Sequence, residues 1–212
     1  MNIKDYVYSD GRVSINYRVF YPEQYAELPL LVFLHGAGER GTDPQVLYRH
    51  GVPKLVADGR EIPAVVLCPQ CPSDIVWDNI VFEVKDIIDS VVREYGIAPD
   101  RIVLTGSSMG GYGTWSVALT YPDFFAGIAP VCGGGMAWRL GALVRSNTPV
   151  RAYHGDADIS VVPEYSKIMI ERLKREGGDG ELVLLPGMGH NDGANYAYRE
   201  TELVDWLLSR RR

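Results

Sequence analysis

The stretch Arg101-Ile-Val-Leu-Thr-Gly-Ser-Ser-Met-Gly-Gly-Tyr-Gly113 carries the strongest structural signal in the chain. Apolar residues 102–105, typical of a buried strand, lead into a turn of small residues, and a helical pattern begins at Met109. The centre of the stretch, residues 106–110, has the spacing G-x-S-x-G. A sharp strand–turn–helix elbow needs this spacing, because larger side chains two positions before or after its central residue would collide with the neighbouring strand and helix. The pattern predicts an elbow that presents the Ser108 hydroxyl above the edge of a sheet.

A simpler role for Ser107 or Ser108 is to cap the helix that follows. The preceding strand pattern and the three glycines that follow favour the elbow. In an elbow, the Met109 N–H lies at the helix N-terminus and points toward negative charge that develops on a substrate oxygen. Ser108 is therefore the candidate nucleophile, and Met109 is a candidate donor of an oxyanion hole.

Strand and helix patterns alternate on both sides of this elbow. Residues 12–20 alternate with period two, as expected for an antiparallel strand exposed on one face. Continuous apolar runs, expected for strands buried on both faces, occupy residues 28–34, 64–67, 101–105, 127–132, 149–153 and 181–185. Helical patterns occupy residues 82–95, 109–119, 163–175 and 194–208. This order predicts one α/β domain over residues 1–212, with a mostly parallel central sheet and helices on both faces.

The composition is that of an ordinary folded protein, with 46% hydrophobic and 23% charged residues in a chain of 212. The net charge of −6 argues against nucleic acid or an anionic membrane surface as a partner. No segment is apolar for long enough to span a bilayer, and the N-terminus lacks the apolar stretch of a signal peptide. We expect a cytoplasmic protein, or a secreted one whose signal peptide has been removed.

The three cysteines, Cys68, Cys71 and Cys132, are too few and too irregularly spaced for a disulfide framework. Cys68 and Cys71 have the CxxC spacing that is also found in redox pairs and zinc half-sites. No second cysteine pair completes a zinc site, and Cys68 ends an apolar strand pattern. We expect these thiols to be small buried side chains, and we predict neither a metal nor an organic cofactor.

A serine nucleophile needs an adjacent base, and the base needs a carboxylate that orients it. Of the four histidines, only His190 follows both Ser108 and an acid located after a later strand, which is the chain order of one large group of serine hydrolases. A histidine in a surface loop is the alternative. Asp156 and Asp158 both follow the preceding strand, and either can reach the site or close a local turn. His154 is expected to shape this turn.

A second glycine-rich loop, Leu34-His-Gly-Ala-Gly-Glu-Arg-Gly41, follows the first buried strand. Small residues let backbone N–H groups approach a reacting carbonyl oxygen, so the Ala37 N–H is the candidate second oxyanion donor. A simple glycine-rich turn is the alternative, and the elbow downstream disfavours it. Glu39 and Arg40 are expected to form a local ion pair that supports the loop, with contact to substrate as the alternative.

Three separated segments together resemble the α/β-hydrolase superfamily: His35-Gly-Ala-Gly38, Gly106-Ser-Ser-Met-Gly110, and His154-Gly-Asp-Ala-Asp158 followed by His190. Longer stretches are similar to a subgroup of small esterases and predicted peptidases related to polyhydroxybutyrate depolymerases and feruloyl esterases. That subgroup carries an L-H-G-x-G-E-R-G loop, matched by residues 34–41, and a P-Q-x-P segment leading to a tryptophan, matched by residues 69–72 and Trp77. The resemblance implies an α/β-hydrolase fold, and it implies Asp158 rather than Asp156 as the acid.

The reaction that the resemblance implies is ester hydrolysis through an acyl-enzyme on Ser108. His190 takes the proton, Asp158 orients the imidazole, and no cofactor takes part. The same three residues also serve peptidases and thioesterases, because they do not set the leaving group. A non-catalytic binding module on this fold is the alternative from another class, and the intact set of catalytic residue types disfavours it.

Little of the chain is left to cover the site. Only residues 133–148 separate two neighbouring strand patterns, so we predict a minimal lid or none. An open pocket suits a small-molecule ester or a hydroxycinnamoyl (feruloyl-type) ester better than a long lipid. Trp77, Trp138 and Gln70 are the candidate substrate-binding residues, with the tryptophans as flat walls for an aromatic acyl group. Ordinary core or surface tryptophans are the alternative.

Overall fold

The computed structural model describes residues 1–212. The seven strands that the sequence predicts form one sheet with an eighth strand, β1, that it does not predict. The strands are β1 (Asn2–Ser9), β2 (Ser14–Tyr21), β3 (Leu30–Leu34), β4 (Val65–Gln70), β5 (Ile102–Ser107), β6 (Gly127–Val131), β7 (Val150–Gly155) and β8 (Gly180–Leu185). Their spatial order is β1-β2-β4-β3-β5-β6-β7-β8. The pairs β1–β2 and β2–β4 are antiparallel, and all other pairs are parallel. The predicted mostly parallel sheet is confirmed.

Helices cover both faces of this sheet. They are α1 (Gly51–Ala57), α2 (Val81–Tyr95), α3 (Met109–Thr120), α4 (Gly141–Ser146), α5 (Glu164–Arg175), α6 (His190–Glu200) and α7 (Leu203–Leu208). One face packs α2, α3, α4 and α5 into a core of 33 buried residues. The other face packs α1, α6 and α7 into a core of 23 buried residues. The predicted fold class, with helices on both faces, is therefore confirmed.

The last predicted helix, over residues 194–208, is wrong in its bounds. The structure divides it at Thr201, whose backbone is extended. The Thr201 hydroxyl donates to the Ala197 carbonyl and accepts the Leu203 N–H, so it ends α6 and begins α7. The first of these helices also begins earlier than predicted, because His190 is its first residue rather than part of the preceding loop.

The loops at the carboxyl ends of the parallel strands meet at one edge of the sheet. This edge gathers the loop after β3, the turn after β5, and the loops after β6, β7 and β8. Between β6 and β7 the chain forms only a short 3₁₀ turn, Ala137–Arg139, and α4. No long insertion covers the edge, as the sequence predicts. None of the helices has the length and apolarity that crossing a membrane requires.

Candidate active site

Ser108 occupies the turn between β5 and α3. Its backbone has φ 56° and ψ −118°, a strained conformation for a residue with a side chain. Its N–H donates to the Val131 carbonyl at 2.9 Å, which holds the turn against β6. The Ser108 side chain does not cap α3, so its hydroxyl is free for another partner.

Backbone contacts explain the glycines around Ser108. A Cβ atom on Gly110 would collide with the Leu34 carbonyl oxygen at the end of β3. A Cβ atom on Gly106 would collide with the Gly110 carbonyl oxygen. The main chains of β3, β5 and α3 therefore touch where the turn is formed, and only glycine fits there.

Alanine at Gly110 is expected to lower the free energy of unfolding by at least about 3 kcal/mol, the upper end of ordinary overpacking costs. The cost is high because the added methyl group meets main-chain atoms, which cannot rotate away. Urea denaturation of the variant measures it. Gly38→Ala is the matched control, since a Cβ atom there meets no atom within 4 Å and φ is not positive. Equal stability of the two variants would contradict the packing argument.

The structure brings Ser108, His190 and Asp158 together in one series of hydrogen bonds. His190 Nε2 lies 2.8 Å from Ser108 Oγ, and His190 Nδ1 lies 2.6 Å from Asp158 Oδ2. A carboxylate only accepts, so Nδ1 carries the proton and Nε2 accepts from the Ser108 hydroxyl. This arrangement is able to remove the hydroxyl proton when Ser108 attacks.

Asp158 is held as an anion. Burial by itself raises the pKa of its carboxyl, but the hydrogen bond from His190 and two backbone N–H groups together bring the pKa below its ordinary value. Those N–H groups belong to Ser160 and Val161, which donate to Oδ1 at 2.9 and 3.0 Å. Asp158 thus keeps a negative charge beside the His190 imidazole at neutral pH.

Asp156, the other candidate acid, is exposed and faces a different partner. Its carboxylate accepts the Gly187 N–H at 2.6 Å and so ties together the loops after β7 and β8. The structure therefore places Asp158, not Asp156, beside His190.

The Met109 and Ala37 amides are available to an oxyanion. Met109 is the first residue of α3 and Ala37 the first of a 3₁₀ turn, and N–H groups at such positions have no acceptor in their own helix. Neither N–H donates a hydrogen bond to a backbone carbonyl in a loop or turn, or to a capping side chain. Ala37 lies in the loop after β3 and Met109 follows the turn after β5, and these two strands are neighbours in the sheet. Two such N–H groups suit a negatively charged oxygen.

His35 supports the loop that carries Ala37. Its Nδ1 lies 2.6 Å from the Gly36 carbonyl oxygen, and its Nε2 accepts the Cys71 N–H at 2.9 Å. The carbonyl can only accept and the amide can only donate, so His35 is a neutral imidazole with its proton on Nδ1. Burial lowers the pKa of His35 to about 4, which is consistent with that neutral form.

The buried His35 is expected to make stability depend on pH. Its pKa falls from 6.5 to about 4 on folding, so as the pH drops below 6.5 the unfolded chain binds a proton that the folded chain does not. When the pH is lowered from about 7 to about 4, the free energy of unfolding should therefore fall by about 3 kcal/mol more in the wild type than in His35→Gln. Urea denaturation at a series of pH values tests this. Parallel curves for the two proteins would refute it.

Two predicted substrate-binding residues, Trp77 and Gln70, are buried. The Trp77 ring packs edge-on against His35, and its indole N–H donates to the His35 carbonyl at 2.9 Å. The Gln70 amide donates to the Glu39 and Asp43 carbonyls at 3.0 and 2.9 Å. Both side chains hold the loop after β3 from beneath, so the prediction that they bind substrate is wrong.

Trp138 lies on the turn Ala137–Arg139 and is 78% exposed, so it stays a candidate for substrate contact. The predicted ion pair between Glu39 and Arg40 is wrong. The Arg40 guanidinium donates instead to the Ala37 and Ile75 carbonyls, at 3.0 and 3.4 Å. Glu39 is buried, which raises the pKa of its carboxyl, and its Oε1 lies 3.7 Å from His50 Nε2.

An aromatic pair that was not among the predicted site residues lies beside the catalytic candidates. The rings of Tyr112 and Tyr165 are 6.2 Å apart at 65°. Tyr112 lies one helical turn after Ser108 in α3, and Tyr165, on α5, is about half exposed. Burial, with Tyr165 and Asp158 nearby, raises the pKa of Tyr112, so its phenol is neutral. The four-residue spacing from Ser108 was the sequence signal for Tyr112.

Cys132, His154 and Asp158 place potential metal ligands within 4.8 Å of one another. Both ring nitrogens of His154 are already engaged, by Ser166 and by the Val161 carbonyl. Asp158 is engaged by His190 and two backbone N–H groups. These contacts use the atoms that a metal would need, and the cluster fits a hydrogen-bond network better than a metal centre. All three cysteines are buried and free, as expected.

Known proteins match this chain in sequence and in fold. The sequence profile of the Alpha/beta hydrolase family matches residues 31–180. Acyl-protein thioesterase 1 of Gibberella zeae is 26% identical over 228 aligned residues, which cover 86% of this chain and 91% of the relative. Poly(3-hydroxyalkanoate) depolymerase C of Paucimonas lemoignei is 43% identical over 64 residues, which cover 30% of this chain and 16% of the relative.

Solved structures share the fold over nearly the whole chain. A thermostable esterase superposes with a TM-score of 0.84 at 29% identity, covering 99% of this chain and 63% of the other. The feruloyl esterase module of Clostridium thermocellum superposes with a TM-score of 0.78, covering 99% of this chain and 88% of the other; at 17% identity this likeness shows the fold alone. The chain thus spans less than two thirds of the thermostable esterase and a small part of the depolymerase.

The family profile extends from β3 to the start of β8 and so includes the elbow. The fold, the family profile and the esterases among the relatives together confirm the resemblance that the sequence motifs indicate. The chain belongs to the Alpha/beta hydrolase family.

Proposed function

We propose that this chain hydrolyses small or hydroxycinnamoyl carboxylic esters through an acyl-enzyme on Ser108. The observation that carries the proposal is the unbroken series of hydrogen bonds from Ser108 Oγ through His190 to Asp158. The Met109 and Ala37 amides complete the set, because they supply donors for an oxyanion. Nucleophile, base, acid and oxyanion donors are the parts that acyl transfer requires.

The first half of the reaction acylates the enzyme. Ser108 Oγ attacks the ester carbonyl carbon, and its proton passes to His190 Nε2 as the C–O bond forms. The former carbonyl oxygen becomes an oxyanion and accepts the Met109 and Ala37 N–H groups. Asp158 stabilises the imidazolium that His190 has become. The bond to the alkoxy oxygen then breaks, and that oxygen leaves with the proton from His190.

The second half repeats these steps with water. Water gives a proton to His190 Nε2 and attacks the acyl carbon, and the same N–H groups stabilise the second oxyanion. Collapse of this intermediate returns the proton to Ser108 Oγ and releases the carboxylic acid. All groups return to their starting protonation states, so the cycle uses only ester and water.

The Tyr112–Tyr165 pair supports an aromatic acyl group as substrate. Aromatic rings pack favourably edge-to-face or offset-stacked. Tyr112 lies one helical turn from Ser108 and pairs with Tyr165, at an edge of the sheet that no long insertion covers. A feruloyl esterase module crystallised with sinapinate has the same fold, which fits this choice.

Alanine at Tyr165 is expected to lower kcat/KM for methyl ferulate by roughly tenfold and to leave p-nitrophenyl acetate hydrolysis nearly unchanged. The small acetyl group does not reach the ring, whereas a feruloyl ring loses one packing partner. Phe82→Ala is the matched control, since Phe82 on α2 forms a similar edge-to-face pair with Tyr121, the residue that follows α3. Equal losses on both esters would contradict an aromatic wall.

A thioester is the second candidate substrate. Acyl-protein thioesterase 1 of Gibberella zeae aligns over most of both chains, and the proposed machinery cleaves either bond. A peptidase role uses the same residues, but an amine is a poorer leaving group than an alkoxide or thiolate. Matched oxygen esters, thioesters and anilides of one acyl group separate these three activities.

Pre-steady-state hydrolysis of p-nitrophenyl acetate by the purified protein tests the proposal. A burst of p-nitrophenolate near one equivalent per enzyme, followed by slower turnover, is the expected result. The panel of matched acyl substrates then ranks the bond types. Turnover of the thioester without the oxygen ester would support the thioesterase. Turnover of neither, nor of the anilide, would support a binding module.

A further inference from the structure

A second imidazole besides that of His190 lies next to the Asp158 carboxylate. It belongs to His154, which is buried. It lies near the end of β7 and has no exposed surface. Its Nε2 lies 2.7 Å from the Val161 carbonyl oxygen and 3.4 Å from Asp158 Oδ2. Its Nδ1 lies 2.7 Å from Ser166 Oγ on α5. One side chain therefore joins the acid beside His190 to the helix behind it.

The hydrogen positions follow from these partners. The Val161 carbonyl only accepts, so His154 Nε2 carries a proton and donates it to that carbonyl. The same nitrogen lies 3.4 Å from Asp158 Oδ2. The Ser166 hydroxyl lies 2.8 Å from the Gly133 carbonyl oxygen and donates either to it or to His154 Nδ1. If Ser166 donates to the Gly133 carbonyl, its oxygen must accept a proton from His154 Nδ1, and His154 is then a cation. If Ser166 donates to Nδ1, His154 is neutral. In both forms Nε2 is protonated and lies 3.4 Å from Asp158 Oδ2.

Burial lowers the pKa of His154, so the neutral form is favoured at neutral pH. The other titratable groups around His154 and Asp158 are His190, Cys132 after β6, Tyr112 on α3, and Glu164 at the start of α5. Burial raises the pKa of Cys132 to about 12 and also raises that of Tyr112. Both are uncharged, and Glu164 is exposed, so the charge beside His154 is that of the Asp158–His190 pair.

We propose that His154 is a positioning residue for the reaction, whose Nε2–H holds Asp158 and reduces the proton affinity of His190. Asp158 Oδ1 is fully used by two backbone N–H groups, so Oδ2 alone serves His190. A second donor near Oδ2 draws negative charge away from the bond to His190. His190 thereby stays unprotonated, and able to accept the Ser108 proton, down to a lower pH than it would without His154. This role rests on the proposed function, because it requires His190 to be the base.

Two replacements of His154 test the roles of its two ring nitrogens separately. A glutamine amide reaches the position of Nε2, whereas an asparagine amide reaches only that of Nδ1. We expect His154→Asn to move the acid limb of the kcat/KM–pH profile upward by about half a pH unit or more. We expect kcat to fall roughly tenfold with little change in KM, because His154 does not touch substrate. His154→Gln should restore the wild-type acid limb.

Thr148→Val is the control for loss of stability alone. Thr148 is buried, its hydroxyl donates to the Pro122 carbonyl at 2.8 Å, and it is not part of the proposed site. Its variant should unfold at a lower temperature than the wild type and keep the wild-type acid limb. A wild-type acid limb in His154→Asn, or a kcat loss no larger than in a Thr148→Val protein of equal stability, would overturn the proposal.

Two further readouts do not depend on the natural substrate, and the second of them needs no variant. The rate at which a fluorophosphonate labels Ser108 should show the same acid limb and the same shift in His154→Asn. Histidine ¹⁵N NMR of the unmodified protein should show a proton on His154 Nε2, and a neutral His154 with its proton on Nδ1 would overturn the proposal. A wild type that the fluorophosphonate does not label would overturn the proposed function, and this role with it.

Discussion

Alanine in place of Ser108 is expected to lower kcat for p-nitrophenyl acetate by about 10⁴- to 10⁶-fold. The variant loses the atom that forms the acyl-enzyme, and His190 Nε2 loses the hydroxyl that lies 2.8 Å away. The residual rate should come from the remaining oxyanion donors and from binding. Steady-state rates over a range of enzyme concentrations measure it, with the wild type as reference.

Ser107→Ala is the matched control for this change. Ser107 is the neighbouring residue at the end of β5, is buried, and makes no hydrogen bond with His190. Its variant should keep kcat within an order of magnitude of the wild type. Loss of activity in Ser107→Ala together with retention in Ser108→Ala would show that the nucleophile has been assigned to the wrong serine.

Asparagine in place of Asp158 is expected to lower kcat by about 10⁴-fold. The Ser160 and Val161 N–H groups fix an oxygen at the Oδ1 position, so the new amide nitrogen must face His190 Nδ1. That nitrogen donates, and His190 is forced to carry its proton on Nε2. An Nε2–H cannot accept the Ser108 proton, so the base is lost while the fold is kept.

Asp156→Asn separates this effect from a general change of charge in the same loop. The Asp156 carboxylate accepts only the Gly187 N–H, and an amide oxygen accepts it equally well. We expect kcat to stay near the wild-type value. If Asp156→Asn lost activity and Asp158→Asn kept it, the acid would be Asp156, and the contacts described for Asp158 would be structural.

The elbow could be predicted from sequence because its requirements are local. Gly106 and Gly110 are needed where main chains touch, and that need is visible as a fixed spacing around Ser108. Asp158 was harder to predict, because Asp156 is two residues away on the same loop. The choice depended on a family resemblance, and its physical reason, the turn that donates to Oδ1, is visible only in the structure.

Residues beneath the loop after β3 could not be assigned from sequence. The P-Q-x-P segment leading to Trp77 has the composition of a binding surface, but spacing does not say which way a side chain faces. The structure directs Gln70 and Trp77 toward main-chain carbonyls of the loop, where they support Ala37 without reaching substrate. Supporting contacts of this kind involve backbone atoms, which carry no sequence signal.

The Tyr112–Tyr165 pair illustrates a second limit. The two residues lie on α3 and α5, and their contact depends on the placement of β6 and β7 next to β5 in the sheet. The periodicity of each helix predicts its buried face but not its partner. The edge strand β1 was missed for a related reason, since most of its side chains are exposed and its apolar residues do not alternate cleanly.

Trapping the acyl-enzyme would identify the nucleophile chemically. The wild type is mixed with p-nitrophenyl acetate, quenched in acid during the burst, digested, and analysed by peptide mass spectrometry. The account predicts one acetyl group, on Ser108, that is absent from Ser108→Ala and disappears from the wild type once the substrate is consumed. Turnover with no acetyl group on Ser108, or with the acetyl group on another residue, would contradict it.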